Sequence, residues 1–421
     1  MRPLLLAAFA SFAAFAPSVA AVTADGVFDD WTNVPVAAEP EGAMAPGAGD
    51  PGASVPRLLR VRAALTPERL GFLLELSHEA RFEDLDHVTF HLDTDGDPAT
   101  GQPIAGLGAD LAWTPGESGA VAHVLGLPVQ IGPGPLGLRR APTVSSDRFE
   151  VSLSRSAQAA GGPLFGDGEP RVVVAVGPES ARRFTAPLVL APAAEPPPVS
   201  APAVAARRSP DHLRVLTYNV LFDGLFKRTP PFRRALAAID PDVILFQEIF
   251  NHSPEETAAL VAEILPGEWH AAGRSGGVIV SRLPVLDSGS VGSPREGLWA
   301  KLAPPSSSWP HGPLILNPHP PCCGNESGRD EEIGAALQWL RRARARGDVT
   351  PETPVIVAGD MNLVGWSRQL DLLLEGDGAP PDGDGTALTD AFPRHLGSAD
   401  TYTWRNDDGA FPPGRLDFIL Y

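Results

Sequence analysis

The sequence has few cysteines and few lysines, and each scarcity excludes a class of protein. Cys322 and Cys323 are the only two cysteines among 421 residues. Adjacent cysteines cannot join distant segments, so the chain is not a small scaffold held together by disulfides. Lysine occurs only as Lys227 and Lys301, and the formal net charge is -18. An acidic surface repels polyanions, so we expect no strong non-specific binding to nucleic acid.

Long hydrophobic runs are also scarce. LLLAAFASFAAFA follows Arg2 and is too short to cross a bilayer comfortably, and small residues suited to cleavage come next, near Ala20 or Ala21. We interpret residues 1–21 as a signal peptide that is removed, with an N-terminal helix or a membrane anchor as the alternative. No later run is long enough for a transmembrane segment. We therefore expect a secreted or periplasmic protein.

A stretch rich in proline and alanine divides the rest of the chain. Residues 187–211 read PLVLAPAAEPPPVSAPAVAARRSPD. Such a composition cannot form a packed core and is typical of an extended, semi-rigid linker. We predict two domains, residues 22–186 and residues 212–421, and we expect the protein to be a monomer.

The first predicted domain consists of short runs typical of β-strands, separated by turns rich in glycine and proline. The runs are LLRVRAAL, LGFLLELS, HVTFHLDTD, AVAHVLGL, RFEVSLS and RVVVAVG. Many short strands with few helical patterns predict an all-β sandwich. The stretches DGVFDDW, FLLEL, LDTDGDPATG, GADLAW and RFEVSLSR resemble the sandwich domains related to family 9 carbohydrate-binding modules. That resemblance implies a glycan as a candidate ligand.

One acidic stretch of this domain is a candidate calcium site. DTDGD places Asp93, Asp95 and Asp97 at alternate positions, as a calcium-binding loop would. It is not an EF-hand, because Pro98 stands where that loop needs glycine and Ile104 where it needs glutamate. A calcium loop of another kind and a simple acidic turn are the two interpretations that remain.

The second predicted domain mixes strands with helices. SPEETAALVAEIL begins with Ser253 as an N-cap and Pro254 at the first helical position, and Glu256 completes a capping box. DEEIGAALQWLRRARARG begins acidic, ends basic and meets Gly347 at its end, which suits the helix dipole and a C-cap. The predicted strands are LRVLTYNV, DVILFQE, GGVIVSRLP, PLILNPH, PVIVAGDMN and RLDFIL.

Polar residues follow several of these strands at the points where the strands leave the core. They are Asn219, Gln247 with Glu248, Asn317 with His319, and Asp360 with Asn362. Carboxylates that converge at the edge of a core raise one another's pKa, and a bound cation removes that conflict. Because the ligands offer oxygen and include no set of histidines and cysteines, Mg²⁺ is the expected metal, followed by Mn²⁺ and Ca²⁺.

The motifs TYNV, FQE, SRLP, NPH, GDMN and RLDFIL, in this order, resemble the endonuclease/exonuclease/phosphatase superfamily over nearly all of residues 212–421. The resemblance implies an α/β four-layered sandwich, in which two mixed β-sheets are flanked by helices. It also implies a metal-dependent hydrolase that cleaves a phosphodiester or a phosphomonoester by in-line attack of water. Nuclease, phospholipase C-like and phosphatase activities are all included.

The resemblance implies a role for each residue that matches a motif. Glu248 is the principal metal ligand, and Asn219 helps to hold the metal and a phosphate oxygen. His319 contacts the scissile phosphate, while Asp360 and Asn362 orient the attacking water and the transition state. Each residue also has a purely structural interpretation. Asn219 could form a turn, Glu248 could cap the next segment, Asp360 and Asn362 could form an Asx-turn, and His319 could be a loop histidine.

The end of the sequence departs from the family pattern. Asp417 matches an aspartate that supports a catalytic histidine, and the family has that histidine one turn and one strand later, after Tyr421. We expect the natural sequence to continue and the 421-residue chain to be nearly inactive. The alternative is a surface binding protein with a degenerate phosphoesterase domain. Three other histidines lie in unsuitable segments: His252, His270 and His395.

Two further features have weaker signals. Asp390, in LTDAF, matches a family pattern, and we interpret it as structural support for a loop near the site. Cys322 and Cys323 closely follow His319, but a zinc site would need more ligands than these. After export, a disulfide between the two neighbours and a pair of thiols are both open interpretations.

Overall fold

The structure is a computed structural model that describes residues 21–40, 55–196, 209, 212–274, 276–291, 297–376, 387–396 and 398–421. It is rich in β-strands, with several sheets and few helices. Residues 1–20 of the predicted signal peptide and residues 197–208 and 210–211 of the predicted linker lie outside the described residues. Within the described residues, no helix combines the length and the apolar character that a membrane span requires.

The N-terminal part, up to residue 196, contains two six-stranded sheets. The first sheet has the order β1-β2-β3-β11-β10, with β16 added to β2, and the second has the order β15-β14-β4-β7-β8-β9. Two short hairpins, β5-β6 and β12-β13, and three 3-10 helices, Phe28–Trp31, Phe82–Leu85 and Glu179–Ala181, complete this part. The strands are β1 (Val36–Ala38), β2 (Leu58–Leu65), β3 (Arg69–Ala80), β4 (Val88–Asp93), β5 (Gln102–Ile104), β6 (Leu107–Ala109), β7 (Leu111–Trp113), β8 (Ala120–Val124), β9 (Leu127–Ile131), β10 (Arg139–Ala141), β11 (Ser146–Ser154), β12 (Gln158–Ala159), β13 (Gly162–Pro163), β14 (Arg171–Val176), β15 (Arg183–Phe184) and β16 (Ala191–Pro192).

One hydrophobic core lies between these two sheets. Phe72 of β3 and Phe149 of β11 come from the first sheet, and Phe90 of β4 and Trp113 of β7 come from the second. The rings of Phe72 and Phe90 meet with their centroids 4.8 Å apart. All six β-like runs of the sequence analysis are strands here, because their alternate residues supply this core.

The start of the predicted linker belongs to the first sheet. Ala191 and Pro192 form β16, which pairs in parallel with Ala64 and Leu65 of β2. Ala191 is buried, as is Leu188 just before it. Composition predicted an extended spacer from residue 187, but an extended chain with apolar residues can add to a sheet edge.

The C-terminal part, from residue 212, contains two further sheets and five α-helices among its described residues. The sheet orders are β17-β18-β20-β19 and β21-β22-β23-β24-β25. The strands are β17 (Val215–Asn219), β18 (Val243–Ile249), β19 (His270–Arg274), β20 (Gly276–Ser281), β21 (Val285–Ser290), β22 (Leu298–Leu302), β23 (Leu314–Asn317), β24 (Val355–Asp360) and β25 (Asp417–Leu420). The helices are α1 (Gly224–Lys227), α2 (Thr229–Ile239), α3 (Pro254–Ile264), α4 (Glu326–Ala345) and α5 (Arg368–Glu375).

Three apolar clusters hold the C-terminal part together. Leu245 of β18 and Ile279 of β20 share a cluster with Ala300 of β22 and Ile315 of β23, so the two sheets face each other. A second cluster joins α2 and α3 to the first sheet, and a third joins α4 and α5 to the second sheet. The strands β18, β23 and β24 are buried on both faces, which explains their continuous apolar runs.

Capping signals in the sequence located two of the helices. At the start of α3, Ser253 accepts a hydrogen bond from Glu256 N, and the side chain of Glu256 accepts one from Ser253 N. This confirms the predicted capping box. Helix α4 begins at Glu326, one turn before the predicted acidic start, because the Asn325 side chain accepts a hydrogen bond from Gly328 N. Gly347 follows α4 with a φ of 77°, as a C-cap glycine does.

Candidate active site

The polar strand ends of the C-terminal part meet in one cleft. Its volume is about 700 Å³, and it is lined by all six residues that the sequence nominated for catalysis or metal binding: Asn219, Glu248, His319, Asp360, Asn362 and Asp417. The parallel pairing of β17 with β18 sets Asn219 opposite Gln247, and the antiparallel pairing of β24 with β25 sets Asp360 opposite Asp417. Both sheets therefore deliver polar groups to the same edge.

Asn219 connects the two sheets at the cleft. Its Nδ2 donates a hydrogen bond of 2.8 Å to Glu248 Oε1 and another of 2.9 Å to Asp360 Oδ2. Its Oδ1 accepts a hydrogen bond of 2.9 Å from Leu221 N. The interpretation of Asn219 as a turn former is therefore correct in part, but its amide also lies between two carboxylates. Those two carboxylates face a common point.

Glu248 reaches the cleft because β18 is irregular at this residue. Gln247 pairs with Gly277 and Ile249 pairs with Gly276, so the register shifts between them. Glu248 has a φ of 65°, a conformation that costs free energy for any residue other than glycine. The bulge aims the side chain at the cleft, where Oε2 accepts a hydrogen bond of 2.8 Å from Phe222 N. Glu248 does not cap α3, a role taken by Ser253.

Asp360, Asn362 and His319 lie together on the other side of Asn219. Asp360 Oδ1 accepts a hydrogen bond of 3.1 Å from Asn362 N, which is the Asx-turn considered above. Asn362 Nδ2 donates one of 3.0 Å to Pro320 O. His319 Nε2 is 3.9 Å from Asp360 Oδ2. The Asx-turn thus shapes the site and leaves Asp360 Oδ2 directed at Asn219 and His319.

Asp417 is the third carboxylate of the cleft. Burial raises its pKa to about 7, the negative charge of Asp360 adds to the increase, and the Thr403 hydroxyl and His319 oppose it. Thr403 Oγ1 also accepts hydrogen bonds of 3.0 and 2.9 Å from Leu416 N and Asp417 N. The neighbouring Asp360 therefore disfavours the charged form of Asp417.

Sequence reasoning missed Asp223, which holds the backbone around Glu248 and Phe250 at the edge of the cleft. Asp223 is buried, and its Oδ1 accepts hydrogen bonds of 2.7 and 3.1 Å from Phe250 N and Asn251 N. Burial alone would raise the pKa of Asp223, but the bonds from Asn251 and Phe250 and the charge of Lys227 hold it below its usual value. Asp223 N donates to Glu248 O at 2.9 Å. No motif marks this residue, since its partners become neighbours only after folding.

Gln247 and Asn317 form a buried polar link beneath the cleft. Gln247 Nε2 donates a hydrogen bond of 2.7 Å to Asn317 Oδ1, and Asn317 Nδ2 donates one of 3.0 Å to Phe246 O. Both side chains have no exposed surface. The sequence placed both residues at strand ends, but the contact across the two sheets could not be inferred from spacing.

Asp390 supports the neighbouring loop, as the sequence suggested. Its Oδ1 and Oδ2 accept hydrogen bonds of 2.6 and 2.7 Å from the two terminal nitrogens of Arg415. The same guanidinium lies 4.2 Å from the centre of the Phe418 ring. This pair fixes the chain just before Asp417. Cys322 and Cys323 are joined in a disulfide, and Cys322 lines the cleft.

The donor set of the cleft suits a hard divalent cation. Glu248 and Asp360 offer carboxylate oxygens on either side of Asn219, and Asp417 lies beside Asp360. Among the described residues that line the cleft, there is no lysine or arginine. The carboxylates here thus have no arginine or lysine in the lining of the cleft to offset them, and oxygen ligands are those that Mg²⁺ and Mn²⁺ accept.

The three acidic residues that the sequence spacing nominated as a calcium site do not all come together in the N-terminal part. Asp93 and Asp95 come together with Asp110, and one ligand atom of each lies within 4.8 Å of the others. Asp97, the third residue nominated from sequence, is outside this group. Its Oδ1 accepts a hydrogen bond of 2.9 Å from Ala99 N and so closes a local turn.

Residues 216–421 match the model of the Endonuclease/Exonuclease/phosphatase family. The matched segment contains the six nominated residues that line the cleft and supports a phosphoesterase in general terms. No curated protein matches the chain. The match to this family covers none of the N-terminal part.

Several solved structures are similar to the chain. A β-hairpin deletion mutant of beta toxin from Staphylococcus aureus is 17% identical, covering 50% of this chain and 86% of that chain with a TM-score of 0.36. A mannosyl-6-phosphatase from Bacteroides thetaiotaomicron is 18% identical, covering 50% and 85% with a TM-score of 0.37. The human Nocturnin catalytic domain with bound sulfate is 17% identical, covering 50% and 83% with a TM-score of 0.34.

Proposed function

We propose that the protein is an exported, metal-dependent phosphoesterase whose active site is the cleft around Asn219. The observation that carries the proposal is the convergence of Glu248 and Asp360 on one amide, with both hydrogen bonds under 3.0 Å. The two residues are 112 positions apart in sequence and lie in different sheets. The family match over residues 216–421 supports the same chemistry.

The electrostatics of the cleft support a requirement for a metal. A phosphoester carries negative charge, and the cleft is lined by three carboxylates and, among its described residues, by no lysine or arginine. Without a cation, such a cleft would repel its substrate. Glu248 and Asp360 would hold Mg²⁺ or Mn²⁺, and the Asn219 amide, whose Nδ2 here faces both carboxylates, would turn its oxygen towards the ion. When bound, the metal supplies Lewis-acid polarisation of the phosphoryl group.

The other side chains of the cleft have roles that their positions suit. His319, which has its Nε2 3.9 Å from Asp360, is placed to donate a hydrogen bond to a phosphate oxygen. Asp360 and Asn362 are fixed relative to each other by the Asx-turn, and they orient the attacking water. Asp417 provides a carboxyl with a pKa of about 7, next to Asp360. The reaction is direct in-line attack by water, without a covalent enzyme intermediate.

The substrate class and the setting belong to the same proposal. The net charge of -18 favours a small phosphoester, a phospholipid head group or short DNA fragments over long nucleic acid. The apolar N-terminal run supports export to the periplasm or the medium.

Face-to-face packing of β18 and β20 on β22 and β23, with helices on the outer faces, supports the four-layered α/β sandwich. The N-terminal sheets are proposed as a glycan-binding module, and the protein as a monomer.

The decisive experiment replaces Glu248 by glutamine in the protein as its gene encodes it. Glu248→Gln keeps an oxygen acceptor of the same size but removes one ligand charge. We expect Mn²⁺ binding, measured by calorimetry, to weaken and hydrolysis of bis(p-nitrophenyl) phosphate and p-nitrophenyl phosphate to fall at least about 100-fold. Glu263→Gln is the matched control, because Glu263 is exposed on α3 away from the cleft.

Two results would contradict the proposal. Unchanged metal-dependent turnover in Glu248→Gln would show that the cleft is not the active site. If the unaltered protein hydrolyses neither compound and its Mn²⁺ affinity is insensitive to Glu248→Gln, the C-terminal part is a binding module with a degenerate site. Circular dichroism spectra of both variants would show that the substitution has not unfolded the chain.

A further inference from the structure

We propose that the N-terminal part contains a structural calcium site formed by Asp93, Asp95 and Asp110. Asp93 ends β4, Asp95 lies in the loop that follows, and Asp110 comes directly after the hairpin of β5 and β6. One carboxylate oxygen from each of the three lies within 4.8 Å of the others. The hairpin folds back on the loop, and this brings Asp110 to residues 15 and 17 positions earlier in the sequence.

The burial of Asp93 is the observation that points to a ligand. The residue has no exposed surface, and neither of its carboxylate oxygens accepts a hydrogen bond from any described residue. Arg171 is the cation next to this carboxylate and shares its Nη2 with Gly96 O, so the water that Asp93 loses on burial is only partly replaced. Its oxygens instead lie beside those of Asp95 and Asp110. A cation at the common point of the three would satisfy all of them.

Arg171 offsets only part of this negative charge. Its Nη2 is 3.3 Å from Asp93 Oδ2, and the same nitrogen donates a hydrogen bond to Gly96 O. One guanidinium beside three carboxylates leaves two negative charges.

Hydrogen bonds within the loop hold the carboxylates of Asp95 and Asp110 in place without help from an ion. Asp95 Oδ1 accepts a hydrogen bond of 2.8 Å from Asp97 N, and Asp110 Oδ2 accepts bonds of 2.8 and 3.0 Å from Thr94 N and Thr94 Oγ1. The backbone also packs closely here. A Cβ atom at Gly168 would lie 1.7 Å from Asp95 O, so the segment that supports Asp95 requires glycine.

The donor set selects calcium over other ions. Three carboxylates on an irregular loop provide hard oxygen ligands, with no cysteine or histidine among them. Ca²⁺ accepts six to eight such ligands in flexible geometry, whereas Mg²⁺ demands near-ideal octahedral geometry and loses its waters reluctantly. The competing interpretation, an acidic turn neutralised by Arg171, predicts no saturable binding.

The test measures Ca²⁺ binding by calorimetry in the full chain carrying Glu248→Gln, so that the proposed catalytic site is weakened in every sample. We expect one calcium ion per chain. Asp93→Asn and Asp110→Asn should each weaken the affinity at least about tenfold, because each removes a ligand charge. Asp97→Asn is the matched control from the same loop, since asparagine keeps the oxygen that accepts from Ala99 N, and its affinity should equal that of the parent.

Binding should also stabilise the N-terminal part. At a calcium concentration of about 100 times Kd, the thermal unfolding of the parent should shift upwards by roughly 5–10 °C. Asp95→Asn serves as the second variant if the buried substitution Asp93→Asn does not fold, because Asp95 is only half buried. The proposal is overturned if the parent shows no saturable binding, if affinity survives Asp93→Asn or Asp95→Asn, or if Mg²⁺ binds the site as tightly as Ca²⁺.

Discussion

Asn219 is the residue on which the geometry of the cleft depends most. Its single amide group donates to Glu248 and to Asp360, and in this way it holds two carboxylates close to each other. An amide does this without adding charge. Aspartate has the same size and shape but would replace two hydrogen bonds by repulsion among three carboxylates.

Asn219→Asp should therefore make the cleft strongly dependent on metal. In EDTA we expect a loss of stability of about 1–3 kcal/mol, because the two bonds are lost and a third negative charge is added. Saturating Mg²⁺ should recover most of that loss. Urea denaturation in EDTA measures the loss of stability, and urea denaturation in Mg²⁺ measures its recovery. Asn325→Asp is the control, since it retains the capping oxygen of α4 and should change stability little in either condition. Equal effects of the two substitutions would contradict the assigned role.

Glu150 should make the stability of the protein fall as the pH rises. The residue is fully buried on β11, and burial, with the charges of Asp30 and Asp25, raises its pKa to about 9. In the unfolded chain its pKa returns to the ordinary value near 4.5. Between these two values the native state binds one proton more than the unfolded state. The stability contributed by this proton is complete below about pH 4.5 and is lost as the pH rises through 9.

Glu150→Gln should remove this dependence. Glutamine can still accept from Gly26 N, where Glu150 Oε2 accepts now. Between pH 7 and pH 9 the free energy of unfolding of the variant, measured by urea denaturation, should rise relative to that of the unaltered protein by up to about 1.4 kcal/mol per pH unit. Glu117→Gln, at an exposed position, should show the same dependence of stability on pH as the unaltered protein. A pH profile that is the same for Glu150→Gln and the unaltered protein would show that Glu150 is ionised in the native state.

The residues that the sequence could identify are those at the ends of apolar runs. Asn219, Asp360 and Asn362 were found in this way, because the end of an apolar run marks where a strand leaves the core. The bulge at Glu248 and the return of Asp110 to Asp93 were not predictable. Both depend on the pairing register of strands, and neither leaves a periodic signal in the sequence.

Helix α4 connects the loops on two sides of the cleft through Arg329. This arginine is fully buried near the start of the helix. Its Nη1 donates hydrogen bonds of 3.2 and 2.8 Å to Pro321 O and Cys323 O, and its Nη2 donates one of 2.7 Å to Val364 O. The first loop follows His319 and the second follows Asn362. One planar guanidinium thus fixes the spacing of two loops that carry cleft residues.

Arg329→Met should destabilise the protein and disturb the cleft together. Each buried carbonyl that loses its donor costs roughly 1–3 kcal/mol. Arg329→Lys should recover only part of the loss, because an ammonium group cannot reach three carbonyls in a plane. Urea denaturation measures stability, and calorimetry with Mn²⁺ reports the cleft. Arg342→Met, at an exposed position of the same helix, should stay within about 0.5 kcal/mol of the unaltered protein. A similar loss for Arg342→Met would assign the effect to the helix and not to the loops.

The elements with strong local signals were predictable, and those that depend on tertiary contacts were not. The capping box of α3 and all the predicted strands are present. Helices α2 and α5 were not predicted. Helix α2 has two prolines near its start, where proline is tolerated because the first N–H groups of a helix have no partner within it. The strand β16 lies in a proline-rich segment and gains its order from pairing with β2.

The N-terminal part packs against the segment that forms one wall of the cleft. Arg394 Nη2 is 2.9 Å from Asp25 Oδ2, and Arg415 N donates a hydrogen bond of 3.0 Å to Thr143 Oγ1. Between these contacts, Arg139 of β10 lies with its guanidinium 4.7 Å from the centre of the Tyr402 ring and its Nε 3.6 Å from Asp400 Oδ1. The next two residues, Thr403 and Trp404, line the cleft. The N-terminal part therefore supports one wall of the cleft.

Arg139→Gln should loosen that wall without unfolding either part. It removes one ion pair and one cation–π contact, so local opening should become easier by about one to two kcal/mol. Trypsin should then cleave after Arg394 and Arg405 about five to thirty times faster, as measured by mass spectrometry of the early fragments. Arg140→Gln is the matched control, because Arg140 pairs with Glu83 within the N-terminal part. Acceleration by Arg139→Gln alone, with an unchanged melting temperature, would mean that the N-terminal part restrains the wall of the cleft. Equal cleavage in all three proteins would mean that the segment from Asp390 to Arg415 is ordered by the C-terminal part itself, chiefly through the pair between Arg415 and Asp390.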